Sequence, residues 1–188
     1  MLRKFIAILL TLFLLPIIIF GILLIYFEDG SPGIFKQKRL GIFGKVFYIY
    51  KIRTMKNETP SLGTHEVSPS YNLHYGSLLR KFKIDELPQI FNVVKGDINF
   101  IGSRPGLPNQ IELKEYRNKE GVLSSKPGIT GLAQVCGFDM SNPIKLSKID
   151  SLYLEKKSFF LDLKIIVATF SNLFRNDLKG FIRNNLDV

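Results

Sequence analysis

From Phe5 to Phe27 every position is apolar except Thr11, with Pro16 and Gly21 inside the run. A run of that length can cross a bilayer core of about 30 Å. Arg3 and Lys4 precede it, and Lys36, Lys38, Arg39, Lys45, Lys51 and Arg53 follow it. Positive charge favours the cytoplasmic side, so both flanks are drawn to one face of the membrane. Two arrangements remain open. Pro16 can break the helix, giving a helix–break–helix that enters and leaves the same leaflet. Alternatively the run is one kinked span with the rest of the chain in the cytosol. A secretory signal fits poorly, because Ile22 to Phe27 offers no small-residue cleavage site.

The pattern then shortens. Glu28 to Gly33 is a turn cluster. Ile34–Gly41 and Lys45–Met55 read as two short strands. In the second, Val46, Tyr48, Tyr50 and Ile52 share a face, with Lys45, Phe47, Lys51 and Arg53 opposing or flanking them. Asn57 to Asn72 is polar and loop-like. Leu87, Ile90, Phe91 and Val94 recur at helical spacing, and Gly96 stands where that helix would stop. Pro88 suits a first turn, or kinks a longer helix running from Leu78. Asn109 to Glu120 is helix-like, charged and expected to be exposed. Leu132–Val135 reads as a strand, and Ser147–Lys156 as a helix. Phe159, Leu163, Ile166, Phe170 and Phe174 form one helical stripe, with Lys164, Arg175 and Lys179 near its polar side. That stripe suits either a membrane surface or a protein core. The expected fold class is α/β, mixed and mostly helical. Residues 1–29 form a membrane element and residues 30–188 a second domain.

Composition narrows the partners. The 188 residues carry 26 Lys and Arg against 16 Asp and Glu, a formal charge of +10. That suits anionic headgroups, nucleotide phosphates or nucleic acid. With 46% hydrophobic residues, a disordered basic tail is excluded for most of the chain. Cys136 is the single cysteine, so no intrachain disulfide, Cys-rich zinc site or CxxC motif can form. His65 and His74 lack companion ligands for zinc.

The candidate chemistry centres on Asp85 and Glu86. Arg80, Lys81 and Lys83 lie just before them, and Arg104, held between turn-formers, lies after. Asp85 at a helix start reads either as a cap or as a catalytic carboxylate beside cations. Lys126-Pro127-Gly128-Ile129-Thr130-Gly131, with Gln134 beyond, is a turn-rich loop that can offer N–H groups to a nucleotide phosphate. Such turns are common, and alone this is a weak signal.

Several motifs carry a resemblance. They are Phe35-Lys36-Gln37-Lys38-Arg39-Leu40-Gly41, Tyr50-Lys51-Ile52-Arg53-Thr54-Met55, Ile84-Asp85-Glu86-Leu87-Pro88-Gln89 and Asn92-Val93-Val94-Lys95-Gly96-Asp97. Gly102-Ser103-Arg104-Pro105, Lys126 through Val135, and Asp162-Leu163-Lys164-Ile165 follow. In this order the chain resembles, over nearly its whole length, the small bacterial monotopic phosphoglycosyl transferases. The resemblance implies a re-entrant membrane hairpin with a small catalytic domain on the cytoplasmic face of the inner membrane. It implies amphipathic helices at the interface. The reaction it implies passes a sugar-1-phosphate from a UDP-sugar to undecaprenyl phosphate, releasing UMP, with Mg²⁺ required. The family's Asp-Glu pair falls on Asp85 and Glu86, and Asp85 is the candidate nucleophile and metal ligand. The family's arginines fall on Arg80 and Arg104, and Arg53 and Lys51 are further candidate phosphate-binding cations. Two departures stand out. Ser103 replaces the first proline of a Pro-Arg-Pro motif, and Cys136 stands where Asn is frequent.

A rival is a non-enzymatic, membrane-anchored basic protein binding anionic lipid or nucleic acid. It accounts for the charge and the apolar N-terminus. It leaves the carboxylate pair and the turn-held arginine unexplained, and the interleaved aromatics of a single-strand binder are missing. The expected partners are therefore the sugar donor, the lipid acceptor and the membrane, with no nucleic acid.

Overall fold

A computed structural model describes residues 2–59 and 68–186. His65 and the centre of the 57–72 loop lie outside the described residues, as do the side chains of Arg3 and Lys4. The chain divides into two compact units. One comprises Met1–Gln37 with Tyr48–Lys95, the other Lys38–Phe47 with Gly96–Val188.

The first unit opens with α1, Leu2–Asp29, which runs without interruption through Pro16. The expected break at Pro16 is therefore not a break in the helical backbone. Thr11, the one polar position of the run, returns its hydroxyl to the Ala7 carbonyl at 2.7 Å. Phe5–Asp29 is long and apolar enough to span a membrane, at mean hydropathy 3.1, and only 17% of its most apolar window is covered by protein. A core helix of a soluble domain would be mostly covered. The covered side of its C-terminal half is Ile18, Gly21 and Ile25. Gly21 permits a close approach: a Cβ there would stand 2.7 Å from Ile52 Cδ1 and within 4 Å of Leu79 and Ile84. Ile25, Ile52, Leu73 and Leu79 form a small core, with Ile22 and Ile84 packed on it.

β1 (Ile34–Leu40) and β2 (Val46–Ile52) pair as a two-stranded ribbon. A five-residue connection permits only the antiparallel arrangement. The expected alternation fails in β2, where Ile49 and Ile52 are buried while Val46 and Tyr48 are exposed. Pairing leaves much of the ribbon open, and its buried positions are Leu40, Ile49 and Ile52. After an isolated bridge from Met55 to Asn72, α2 spans His74–Lys81. Lys83 then adopts a left-handed backbone, φ 57°, which stops α2 and starts a 3-10 turn over Ile84–Gln89. The turn passes into α3, Ile90–Lys95, which ends at Gly96 with φ 86°, where the sequence places its stop. The stretch from Leu78 is thus neither one kinked helix nor a helix capped by Asp85. Lys83 holds the cap position.

In the second unit β3 (Asn99–Ile101) runs parallel to β4 (Gly128–Thr130). Around them lie α4 (Ile111–Lys119), α5 (Leu132–Val135), α6 (Pro143–Lys156), α7 (Phe159–Phe170) and α8 (Arg175–Asn185). Leu132–Val135 is a helical turn rather than the expected strand. The strand sits just upstream, because Gly128 lets β4 approach the backbone of Gly102 where a Cβ would collide with it. Leu132, Ala133 and Val135 then reach the core from the helical turn. Nor is α4 exposed all round, since Leu113 and Arg117 are buried. Leu161, Ile165 and Ala168 form the core side of α7. The Phe159, Leu163, Ile166 and Phe170 stripe faces outward, and Phe170 is 82% exposed. Phe174 lies beyond α7, at the start of α8.

Candidate active site

Asp85 is the second residue of the 3-10 turn. The left-handed Lys83 before it and Ile84 packed on the α1 core hold its backbone in place. Its side chain is nearly enclosed, at 8% relative exposure. Burial is the leading influence on its carboxyl and pushes the pKa above the ordinary value. The positive charges of Lys51 and Arg80 pull it back, and the neighbouring Glu86 pushes it further up. A carboxylate so placed is costly to ionise unless cations lie close to it.

Glu86 is held by Lys51, whose Nζ lies 2.8 Å from Oε1. Lys51 sits near the end of β2, so the ribbon aims this cation at the dyad. Arg80 lies on α2. Its Nε donates to Thr54 Oγ1 at 2.7 Å, and Nη1 to Asn72 Oδ1 at 3.0 Å. Those two bonds orient the fork and leave Nη2 without a partner among the described residues. Burial lowers the Arg80 pKa while the Asp85 charge raises it.

Arg53 is placed differently. Its Nη1 meets Asp29 Oδ2 at 2.7 Å, and Nη2 donates to the carbonyls of Asp29 and Gly30 at 3.2 and 2.6 Å. In this geometry Arg53 fastens β2 to the end of α1.

Arg104 belongs to the second unit, on the loop after β3, and that loop is held residue by residue. The Arg104 carbonyl accepts from Arg117 Nη1 at 2.7 Å, and the Pro105 carbonyl from Arg39 Nη1 at 3.0 Å. The Gly106 carbonyl accepts from Leu40 N at 2.9 Å, and Leu107 N donates to Gln110 Oε1 at 2.8 Å. Ser103, where the resemblance expects proline, accepts from Gly128 N at 2.9 Å through its carbonyl. Backbone bonding supplies stiffness there that a proline ring would otherwise give.

The Lys126–Gln134 loop is also bonded inward. Lys126 Nζ donates to the Gly96 carbonyl, Thr130 and Thr169 hydroxyls lie 2.9 Å apart, and Gln134 Nε2 donates to the Ile129 carbonyl at 3.1 Å. Gln134 Oε1 is buried without a hydrogen-bond partner among the described residues. Gly128 is needed for the strand approach described above. Cys136 is buried in the core of this unit, and burial pushes its thiol up to about 11. It is a packed side chain, not a reactive thiolate.

Two groups escaped the sequence reading of roles. Asn92 is fully buried on α3. It accepts from Tyr50 N at 3.2 Å and donates to the Tyr48 carbonyl at 2.7 Å, pinning β2 beside Lys51. The signal was an amide within an apolar helical stretch. Arg117 pairs with Asp150 of α6, donating from Nε at 3.1 Å and from Nη2 at 2.7 Å. Its charge made α4 look exposed, so nothing local pointed inward.

The family model for bacterial sugar transferases matches residues 1–176. The chain is 43% identical over 154 residues to the sugar transferase EpsL of Bacillus subtilis, covering 81% of this chain and 75% of EpsL. It is 33% identical over 180 residues to a UDP-glucose:undecaprenyl-phosphate glucose-1-phosphate transferase of Caulobacter vibrioides, covering 91% of this chain and 67% of that relative. Against the galactosyl transferase CpsE of Streptococcus agalactiae identity is 36% over 157 residues, and the chain spans about a third of that protein, 34%. A family model spanning nearly the whole chain, with relatives matched across both units, makes this protein a member of the bacterial sugar transferase family.

Proposed function

We propose that this enzyme transfers a sugar-1-phosphate from a UDP-sugar to undecaprenyl phosphate at the membrane surface, through a covalent phosphosugar on Asp85. The observation that carries this reading is Asp85 itself: an enclosed carboxylate with a raised pKa, flanked by Lys51 and Arg80, on a turn packed against the membrane helix. Relatives named as undecaprenyl-phosphate sugar-phosphate transferases support the reaction class.

In the first step an Asp85 carboxylate oxygen attacks the sugar-bearing phosphorus of the donor. The bond from that phosphorus to the bridging oxygen breaks, and UMP leaves. In the second step a phosphate oxygen of the acceptor attacks the same phosphorus. The bond to Asp85 breaks, the carboxylate is regenerated, and the sugar rests on a lipid diphosphate. Lys51 and Arg80 neutralise phosphoryl oxygens as charge redistributes, and Arg80, oriented by Thr54 and Asn72, supplies a directed fork. Arg104, on its bonded loop in the second unit, is a further candidate phosphate cation. Glu86, paired with Lys51, tunes the local charge. Arg53 acts at one remove, by holding β2 to α1.

The dyad fits Mg²⁺. Among the described residues no cluster of three or more His, Cys, Asp or Glu side chains could make an all-protein cage. Mg²⁺ characteristically takes one or two carboxylates together with substrate phosphates. Bound at Asp85, the ion would neutralise the donor diphosphate and polarise it for attack.

For topology we favour a re-entrant α1 on the cytoplasmic face of the inner membrane. Basic residues flank both ends, Pro16 lies mid-helix, and the exposed Phe159, Phe160 and Phe170 of α7 suit an interface. Labelling of single cysteines near residue 3 and on β1 in intact vesicles tests it: opposite-side accessibility would establish a spanning helix instead.

The deciding experiment is UMP release by nanodisc-held protein with Mg²⁺, undecaprenyl phosphate and a panel of UDP-sugars. Release with one donor, accompanied by radiolabelled phosphosugar on the wild type and not on Asp85→Asn, is the expected result. Undiminished turnover by Asp85→Asn would sink the covalent scheme.

A further inference from the structure

α1 ends in two carboxylates, Glu28 and Asp29, with no basic residue in its last turn. Negative charge at a helix C-terminus opposes the helix dipole, so these residues need a reason to be there. Both reach across to other elements. Asp29 takes Arg53, as described. Glu28 receives the backbone N–H of His74 at Oε1 and that of Tyr75 at Oε2, the latter at 2.9 Å.

His74 and Tyr75 open α2. The residue before them, Leu73, has no side-chain oxygen and makes no side-chain cap. The first turn of α2 therefore takes its cap from a different helix. A carboxylate accepting two N–H groups at a helix N-terminus is a charge-assisted, dipole-aligned contact. At the other end of α2 stands Arg80, whose Nε is held by Thr54. Thr54 adjoins Arg53, the partner of Asp29. Gly76, in the first turn of α2, lies so close to the Thr54 carbonyl that a Cβ would overlap it. Both carboxylates of the α1 terminus thus lead to Arg80, one through α2 and one through Arg53 and Thr54.

We propose that Glu28 is a positioning residue for Arg80, capping α2 from the end of the membrane helix and holding that guanidinium in register with α1. The proposal rests on Arg80 acting as a phosphate-binding cation. It also assigns Glu28 a role that a mere surface carboxylate would not have, since Glu28 makes no contact with the dyad.

The test uses the full chain in nanodiscs, with wild type, Glu28→Gln, Arg80→Lys and the double variant. Hydrogen exchange at the His74 and Tyr75 amides reads the cap directly and needs no turnover. Loss of the charged cap should speed exchange there about tenfold, with the melting temperature little changed. In turnover, Glu28→Gln should lower kcat about tenfold at unchanged KM for the lipid acceptor, and should add little in the Arg80→Lys background. Unchanged exchange at both amides overturns the proposal, as do effects that multiply in the double variant. Arg80→Lys at the wild-type rate would overturn the functional reading itself. A slow Arg80→Lys with Glu28→Gln at the wild-type rate would overturn the coupling alone.

Discussion

Arg117 Nη1 lies 2.7 Å from the backbone carbonyl oxygen of Arg104, while Nε and Nη2 of the same guanidinium hold Asp150 Oδ2. One buried arginine thereby ties the loop of a candidate phosphate cation to α6. Burial pushes the Asp150 carboxyl up and the Arg117 charge draws it back. Removing one leaves an uncompensated charge in the core. Arg117→Met should therefore destabilise by about 3–5 kcal/mol. Arg117→Met combined with Asp150→Leu should cost less than that single change, because both charges go together. Chemical denaturation of the three proteins checks the order.

Asp85→Asn should be dead in turnover yet more heat-stable than wild type at neutral pH. The folded-state pKa of Asp85 is raised above its unfolded value. The unfolded chain loses that proton at lower pH, so ionised Asp85 costs stability. The cost is complete above the folded pKa, fades as pH falls through it, and vanishes below the unfolded pKa. The advantage of the Asn variant should follow the same course. Rate loss should be about a thousandfold or more, as for removal of other nucleophiles. Melting curves across pH, beside a turnover assay, test both halves; a variant less stable at neutral pH would contradict the desolvation argument.

Lys51 lowers the Asp85 pKa through its charge. Lys51→Met should move the acid limb of the kcat/KM profile to higher pH, because Asp85 then protonates sooner. It should also weaken donor binding about tenfold by removing a phosphate cation. An acid limb that stays in place would separate Lys51 from Asp85.

Gly76→Ala tests the seat of α2. The obstructing atom is the backbone oxygen of Thr54, which cannot rotate aside. The helix has to lift, and Arg80 loses its geometry toward Thr54 Oγ1. A loss of about 1–3 kcal/mol in stability is expected, with activity falling further than the stability change explains. Gly180→Ala, where a Cβ would meet nothing within 4 Å, is the matching control.

The sequence made some of this legible and hid the rest for identifiable reasons. Long-period signals held: the apolar α1, the two-strand ribbon and the Gly96 stop follow from patterns that depend on one segment alone. Asp85 and Glu86 stood out because adjacent carboxylates near several cations are chemically conspicuous. Leu132–Val135 was misread, since a four-residue apolar run serves a buried strand or a buried turn equally well, and the outcome turned on how closely Gly128 approaches Gly102. The inward face of α4 was invisible because Arg117 and Asp150 are far apart in the chain and each looks like a solvated charge. Arg53 shared its motif with Lys51, yet the partner that claimed it, Asp29, lies at the end of the membrane run. The ribbon's failed alternation reflects the same limit: the elements that meet β2, α1 at Ile52 and α3 at Tyr48 and Tyr50, lie far from it in the chain.

Because Ile22 and Ile25 of α1 pack with Ile52, Leu73, Leu79 and Ile84, this apolar helix is not a tether that can be cut away. Trimming it would strip one wall from the platform beneath Asp85. A truncated, water-soluble catalytic fragment is therefore the wrong object for inhibitor screening or crystallisation. Any compound that wedges between α1 and the 3-10 turn should silence the enzyme without touching its substrates.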